Sequence, residues 1–241
     1  MRIIGNIEAI GLALYFDSVL VISDVHIGYE EVLNKQGVLV PRVQYEDISN
    51  SMKSIFNKLE GKKIDKMIVN GDLKHEFGAI SEQEWRNTLK FIDLLSKYCK
   101  EIILIKGNHD TILGPIAKKR NVRIADSIII GKALITHGDK LPDKETLRKA
   151  DTIIIGHEHP AVSLKDGPRI ETYKCFLKGR FKGKNLIVQP SFNNLIEGTD
   201  ILKHKILSPF LDQNLDNFEV FVVEDKVYDF GKLKRTDLII H

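Results

Sequence analysis

Val19-Leu20-Val21-Ile22-Ser23-Asp24-Val25-His26 is a short apolar run that stops on an acid and an imidazole. The same pattern recurs four more times. Met67-Ile68-Val69-Asn70 hands over to Gly71-Asp72, and Ile102-Ile103-Leu104-Ile105-Lys106 to Gly107-Asn108-His109-Asp110. Ala133-Leu134-Ile135-Thr136 leads into His137-Gly138-Asp139, and Thr152-Ile153-Ile154-Ile155 into Gly156-His157-Glu158-His159. Runs of this length and composition read as buried strands. Each polar motif then falls on the loop past a strand's carboxyl end, the edge where open α/β sheets bind ligands. One such motif carries little, because Gly-Asp and Gly-His are common turn pairs and a lone loop histidine is usually a surface residue. Five in succession point to a two-metal hydrolytic site. They gather six of the eight histidines: His26, His75, His109, His137, His157 and His159. His204 and His241 lie elsewhere and receive no role.

Around these motifs the periodicity predicts a mixed architecture. Ile3 to Phe16, with Gly5 and Gly11, reads as a pair of strands. Ile48, Met52, Ile55, Phe56 and Leu59 recur at helical spacing, which predicts a helix over Gln44 to Leu59. Ser81-x-x-Glu84 is a capping box opening a second helix, with Trp85, Leu89, Ile92 and Leu95 on one face. Leu141 to Ala150 reads as a loop with a helical turn. Tyr173 to Leu177, Leu186 to Val188, Phe218 to Val223 and Lys226 to Phe230 read as strands, the last two joined by a turn at Glu224-Asp225. Leu195 to Asn217 is irregular and polar, and reads as a mobile surface segment. A first half alternating strand and helix, followed by a strand-rich second half, predicts mixed sheets packed in layers within a single domain over 1–241.

Composition narrows the class. The chain has 241 residues, 43% hydrophobic and 29% charged, ordinary for a globular protein. No signal peptide is visible, and no run approaches the roughly 18 apolar residues of a membrane span; the expected location is the cytoplasm, with no membrane partner. Cys99 and Cys175 read as packing residues. A net charge of +3 does not announce a nucleic-acid partner. Two basic clusters stand out: Lys118-Lys119-Arg120 with Arg123, and Lys174, Lys178, Arg180, Lys182 and Lys184. They read either as solvated surface or as a track for a polyanion beside the active site.

The motifs contain a coherent set of metal donors. Asp24 and His26 are two residues apart and can face one ion. Asp72, on a tight turn after Gly71, can bridge two. Asn108, His137 and His157 add neutral donors, and His159 completes the set. Carboxylate plus imidazole suits borderline divalent ions such as Mn²⁺, Fe²⁺, Co²⁺ or Zn²⁺, and the lack of thiolate argues against a structural zinc site. Two ions about 3.5–4 Å apart can clamp a phosphate and activate a water. His109 is then placed to approach the phosphate and assist the departing oxygen, and Asp110 to hold its tautomer.

Asp24-x-His26, Gly71-Asp72, Gly107-Asn108-His109-Asp110, His137 and Gly156-His157-x-His159 together resemble the signature of the calcineurin-like metallophosphoesterases. The resemblance implies an α/β fold, a four-layer α/β/β/α sandwich with mixed sheets. It implies one ion held by Asp24, His26, Asp72 and His159, a second by Asp72, Asn108, His137 and His157, and His109 as the catalytic histidine. Asp24-Val-His-Ile-Gly28, Gly71-Asp-Leu-Lys-His75, Gly156-His-Glu-His-Pro160, Gln189-Pro-Ser-Phe-Asn193 and Gly198-Thr-Asp200 resemble the SbcD-related, Icc-like phosphoesterases of archaea. Where many phosphomonoesterases carry an acid, this chain has His75. That resembles the nuclease branch and implies contact of His75 with the phosphate, although Lys74 replaces the aromatic residue common there and a chain of this length is too short for the DNA-capping domain of the large repair nucleases.

These readings converge on a metal-dependent phosphoesterase. The expected reaction is hydrolysis of phosphodiesters by a hydroxide activated at two divalent ions, with Mn²⁺ favoured and Fe²⁺, Co²⁺, Ni²⁺ or Zn²⁺ as the others. The expected substrate is a phosphoester, with DNA or RNA ends in DNA repair as candidates. The relatives imply a homodimer and a repair helicase or ligase as partner. The alternatives are a phosphomonoesterase or small cyclic-nucleotide phosphodiesterase, and a non-enzymatic scaffold.

Overall fold

The four residues Val19–Ile22 are all buried because the strand they form is covered on both faces. The two-residue alternation hidden in that apolar run becomes visible in the packing. Leu20 and Ile22 enter one core, while Val19 and Val21 enter another. Met67 and Val69 separate from Ile68, and Ile102 and Leu104 from Ile103 and Ile105, in the same way. Apolar runs without polar alternation are what a strand needs when both faces are dry.

A computed structural model describes residues 1–76, 80–110, 112–166 and 168–235. The first sheet runs in chain order: β1 (Arg2–Ile4), β2 (Ile7–Ile10), β3 (Ala13–Phe16), β4 (Val19–Ile22), β5 (Lys66–Asn70), β6 (Glu101–Ile105) and β7 (Arg123–Ala125). β1 to β4 form an antiparallel meander, and β4 to β7 are parallel. The opening therefore contains three strands rather than two. Left-handed Gly5 and Gly11 sit at their turns. The second sheet comprises β8 (Ser127–Ile130), β9 (Ala133–Thr136), β10 (Thr152–Ile155), β11 (Pro160–Asp166), β12 (Arg169–Phe181), β13 (Lys184–Val188), β14 (Thr199–Asp200), β15 (Glu219–Val223) and β16 (Val227–Lys232). At its centre β9, β10 and β13 are parallel.

Helices α1 (Tyr29–Lys35), α2 (Gln44–Lys58), α3 (Glu82–Leu95) and α4 (Gly114–Arg120) lie in the first half of the chain, and α5 (Lys144–Arg148) in the second. α2, α3 and α4 supply Ile48, Met52, Phe91, Ile92 and Ile116 to the core over the first sheet. A second core between the sheets contains Leu14, Phe16, Ile103, Ile135, Ile154, Phe176, Ile187 and Phe221. A third, on the far face of the second sheet, contains Ile153, Ile155, Leu177, Val188, Phe210, Leu211 and Leu215.

The architecture is thus a four-layer α/β/β/α sandwich with mixed sheets, whose fourth layer is α5 plus irregular chain. This corrects the expectation for Leu195 to Asn217. That stretch is largely irregular, but Ile201, Ser208, Phe210, Leu211 and Leu215 are buried in it. Its polar side chains, such as Lys203, His204, Lys205 and Asp212, stay exposed while its buried apolar residues anchor the stretch to the second sheet. Short α1 and α4 carry too few apolar residues to show a period. Among the described residues no helix is long and apolar enough to cross a membrane.

The second core welds the sheets whose edges carry the polar motifs. Phe176 is fully buried there and lies opposite Phe221 on neighbouring β15. Phe176→Ala is expected to cost about 3–5 kcal/mol of stability, measured as a lowered urea midpoint with an unchanged m-value.

Candidate metal centre

Five parallel strands, β4, β5 and β6 from one sheet and β9 and β10 from the other, end at one edge of the sandwich. Their loops bring Asp24, His26, Asp72, Asn108, His137, His157 and His159 together from positions as much as 135 residues apart. Asp24, His26, Asp72, His157 and His159 all adopt positive φ, between 46° and 66°. Non-glycine residues reach that region at a cost of about 1 kcal/mol or more each, and such strain collects at functional sites where the surroundings enforce it.

The enforcement is visible. His26 N–H donates to Asp72 O (2.8 Å), Ile27 N–H to Leu73 O (3.0 Å) and His75 N–H to Ile27 O (3.0 Å), so the loops after β4 and β5 are laced together. From behind, Phe192 N–H donates to Ser23 O, and the Ser191 hydroxyl to Asp24 O (2.8 Å). Gln44, opening α2, donates from Nε2 to His26 O and accepts from Gly28 N–H. The Gln189-Pro-Ser-Phe-Asn193 element thus braces the Asp24–His26 loop. Thr199 N–H donates to His159 O and braces the last ligand loop likewise.

Each carboxylate is oriented by spending one oxygen on its support. Asp72 Oδ1 accepts from His109 N–H (2.9 Å), leaving Oδ2 between His26 Nε2 (3.7 Å) and His137 Nε2 (3.4 Å). Asp24 Oδ2 accepts from the Ser23 hydroxyl (2.5 Å), His157 N–H is shared between Oδ2 (3.1 Å) and Oδ1 (3.3 Å), and Oδ1 faces His159 Nε2 at 3.3 Å. The remaining donors fall into two groups about Asp72 Oδ2. In one, His26 Nε2 and His159 Nε2 are 3.3 Å apart beside Asp24. In the other, His137 Nε2 lies 3.0 Å from Asn108 Oδ1 and 3.2 Å from His157 Nδ1.

These donors fit divalent cations. Bonds of about 2.0–2.2 Å set neighbouring ligand atoms roughly 3.0–3.6 Å apart around one ion, and the separations here match that range except His26 Nε2 to Asp72 Oδ2, at 3.7 Å. Burial, and then the charge of His159, push the His26 imidazole down to about 3, so its ring keeps a lone pair. Burial works against charge on Asp24 too, but His159, His137 and His26 hold that acid below its ordinary range. Burial opposes a proton on His137, yet its hydrogen bond to Asp72 and the Asp24 and Asp72 charges lift it to about 9.

The mouth is more open. Asn108 is exposed, and His75 and His109 are half-buried. Their rings stack at 5.0 Å and 28°. His75 Nδ1 lies 3.2 Å from His26 Nδ1, behind the ligand nitrogen, and its backbone carbonyl receives His109 Nδ1 at 2.6 Å. Burial, then His109, push His75 down to about 4. The expectation that Asp110 holds the His109 ring is replaced by other contacts: both Asp110 oxygens accept backbone N–H groups, from Gly107, Leu73 and Lys74. The tautomer of His109 is instead set by the His75 carbonyl. Burial and the neighbouring Asp72 raise Asp110 to about 6.

Several supports escape sequence reading. Glu158, between His157 and His159, is buried and accepts from Leu207 and Ser208 N–H. Ser23, Gln44 and Lys74 carry no motif of their own. The basic clusters are largely engaged within the fold: Arg120 pairs with Asp93, Lys178 with Glu219, and Lys174 donates to Ser191 O and Asn193 O.

A layered sandwich whose strand ends converge on two histidine-carboxylate groups defines a metal-dependent phosphoesterase. The calcineurin-like phosphoesterase family model matches residues 18–158, more than half of the chain and all seven donors but His159, and the chain belongs to that family. Among solved structures, a nuclease MPE from Pseudomonas putida is similar over 90% of this chain and 91% of that one, with a TM-score of 0.62 and 17% identity. Vps29 from Entamoeba histolytica, complexed with zinc, aligns over 88% and 91% of the two chains with a TM-score of 0.35 and 18% identity. A predicted phosphoesterase from Streptococcus pneumoniae aligns over 89% and 97% with a TM-score of 0.35 and 14% identity. No curated protein sequence matches the chain.

Two glycines let these loops meet. A Cβ on Gly107 would overlap the Asp72 carboxylate, and one on Gly156 would overlap Ser23 Oγ and Asp24 Oδ2. Gly156→Ala is therefore expected to weaken binding of divalent cation by about tenfold or more, measured by calorimetric titration of Mn²⁺ into metal-stripped protein. An unchanged affinity would show that the Ser23–Asp24 contact does not set ligand geometry.

Proposed function

We propose that this phosphoesterase hydrolyses phosphodiesters, with two divalent cations held by the two donor groups that share Asp72. The first would be bound by Asp24, His26, Asp72 and His159, the second by Asp72, Asn108, His137 and His157. The observation that carries the reading is the position of Asp72 Oδ2, within 3.7 Å of His26 Nε2 and 3.4 Å of His137 Nε2. One carboxylate oxygen facing both groups is what a bridging ligand requires. The nitrogen-rich set favours Mn²⁺ over Mg²⁺. When bound, the cations neutralise phosphoryl oxygens and lower the pKa of water.

The chain's own groups complete the chemistry. The His109 imidazole has Nδ1 at the His75 carbonyl, which directs Nε2 outward. With Nδ1–H on that carbonyl, Nε2 carries a proton only in the imidazolium form of the ring; that form donates the Nε2 proton to the departing alkoxide and returns to the neutral Nδ1–H tautomer, a step worth about 10²–10⁴ in rate. Asn108, exposed beside it, orients the ester. His75 supports His26 through the Nδ1 contact and offers its other nitrogen to the phosphate. An imidazole at this position, in place of a carboxylate, adds no negative charge near the singly charged diester. The open mouth suits the end of a nucleic-acid strand, and a role in DNA repair, as in the SbcD-related subfamily that the motifs resemble, is the biological form of the reading.

The test compares bis-p-nitrophenyl phosphate with p-nitrophenyl phosphate at saturating Mn²⁺. We expect kcat/KM for the diester to exceed that for the monoester by about tenfold or more, and His109→Ala to lose roughly 10²-fold or more of it. A monoester preference would make the protein a phosphomonoesterase. Normal turnover by His109→Ala would remove the proposed proton donor.

A further inference from the structure

Lys74 is fully buried, which is unusual for a lysine, and it stands between bridging Asp72 and His75. Its ammonium donates to His109 O at 2.7 Å and to Glu76 O. Both partners are backbone carbonyl oxygens, not a carboxylate. The loop after β5 is thereby tied to the loop after β6 by a single buried cation.

On the other side of the same segment lies Glu84, also fully buried, in the first turn of α3. Its Oε1 accepts from His75 N–H (2.9 Å) and Glu76 N–H (3.1 Å). Its Oε2 is buried with no hydrogen-bond partner among the described residues. A Cβ on Gly28 would press on this side chain, so the loop after β4 closes over it. Glu84 is thus not the reciprocal member of a capping box. The Ser81 hydroxyl accepts from Glu84 N–H, but the Glu84 carboxylate turns away from the helix to hold the β5 loop.

We propose that Lys74 and Glu84 form a buried clamp that positions His75 and His109 for proton transfer. Glu84 holds the N–H groups of residues 75 and 76, and Lys74 holds the carbonyls of 76 and 109. Between these fixed points His75 O receives His109 Nδ1, and the two rings stack. Neither clamp residue touches substrate, so both are positioning residues. The inference rests on the role assigned above to His109.

The experiment is a double-mutant cycle of Lys74→Met with His109→Ala, on bis-p-nitrophenyl phosphate and on diphenyl phosphate, whose leaving group is poorer. If Lys74 acts by positioning His109, Lys74→Met lowers kcat by about 10-fold on the first substrate and about 100-fold on the second, with KM and Mn²⁺ content unchanged. In the His109→Ala background it then adds less than about twofold. An equal loss on both substrates, or a loss of the same size in the His109→Ala background, makes Lys74 merely structural and overturns the clamp. A normal Lys74→Met enzyme beside an impaired His109→Ala enzyme overturns the clamp alone. A normal His109→Ala enzyme overturns both the clamp and the role of His109.

Should Lys74→Met fail to fold, Glu84 carries the same test. Glu84→Gln keeps an oxygen acceptor for both N–H groups and is expected to stay within about threefold of the parent, whereas Glu84→Ala shows the leaving-group-dependent loss. Equal activity of the two variants overturns the clamp.

Discussion

Asp24 and Asp72 are buried acids, and each has one oxygen tied to a backbone N–H of a neighbouring loop, His157 N–H for the first and His109 N–H for the second. A carboxylate so tied keeps a fixed orientation, with Asp72 Oδ2 and Asp24 Oδ1 toward the histidines. The same hydrogen bonds therefore join loops from different strands and aim the ligands. The left-handed backbone at five candidate ligands, the glycines where loops touch, and the brace at Gln189–Asn193 all lie where five strand ends crowd around these two acids. The crowding shows in the electrostatics: Asp24 and Asp72 lift His137, and burial depresses His26.

The two-sheet packing supplies the other half of that geometry. Each sheet carries only part of the donor set, β4 to β6 one part and β9 and β10 the other. The apolar core between the sheets holds the two edges at a fixed separation, and ligand atoms across it come within about one coordination edge. Stability and function are coupled here through Ile103, Ile135, Ile154 and Phe176 rather than through any group that meets substrate.

The polar residues around the centre divide by what they hold. Ser191, Gln44 and Thr199 hold backbone of the ligand loops. Lys74, Glu84 and Asp110 hold the backbone on either side of His75 and His109. Buried charges are retained where hydrogen bonds to several main-chain groups offset their desolvation. Asp110 meets that condition with three N–H groups, and this is why it serves the loop and not the ring beside it.

Much of the fold and of the donor set was legible in the chain itself. Five apolar runs ending in Asp, Asn and His predicted five buried strands and the residues at their ends, because an extended strand delivers the residues after its last pair to the edge of the sheet. The helices over Gln44–Lys58 and Glu82–Leu95 announced themselves by period and by Ser81. Short helices α1 and α4 were hidden, since their apolar residues are too few to show a period, and the third opening strand and the burial of Ile201, Phe210, Leu211 and Leu215 were hidden, since their apolar residues are not arranged in a regular period. What only the tertiary structure decided is the set of partners: that Lys74 is buried against carbonyls, that Glu84 leaves its cap to hold His75, that Asp110 faces backbone, and that His75 backs His26. Those outcomes depend on which loops meet in space, and hydrogen-bond demand at a buried backbone is satisfied by whichever side chain the packing brings there.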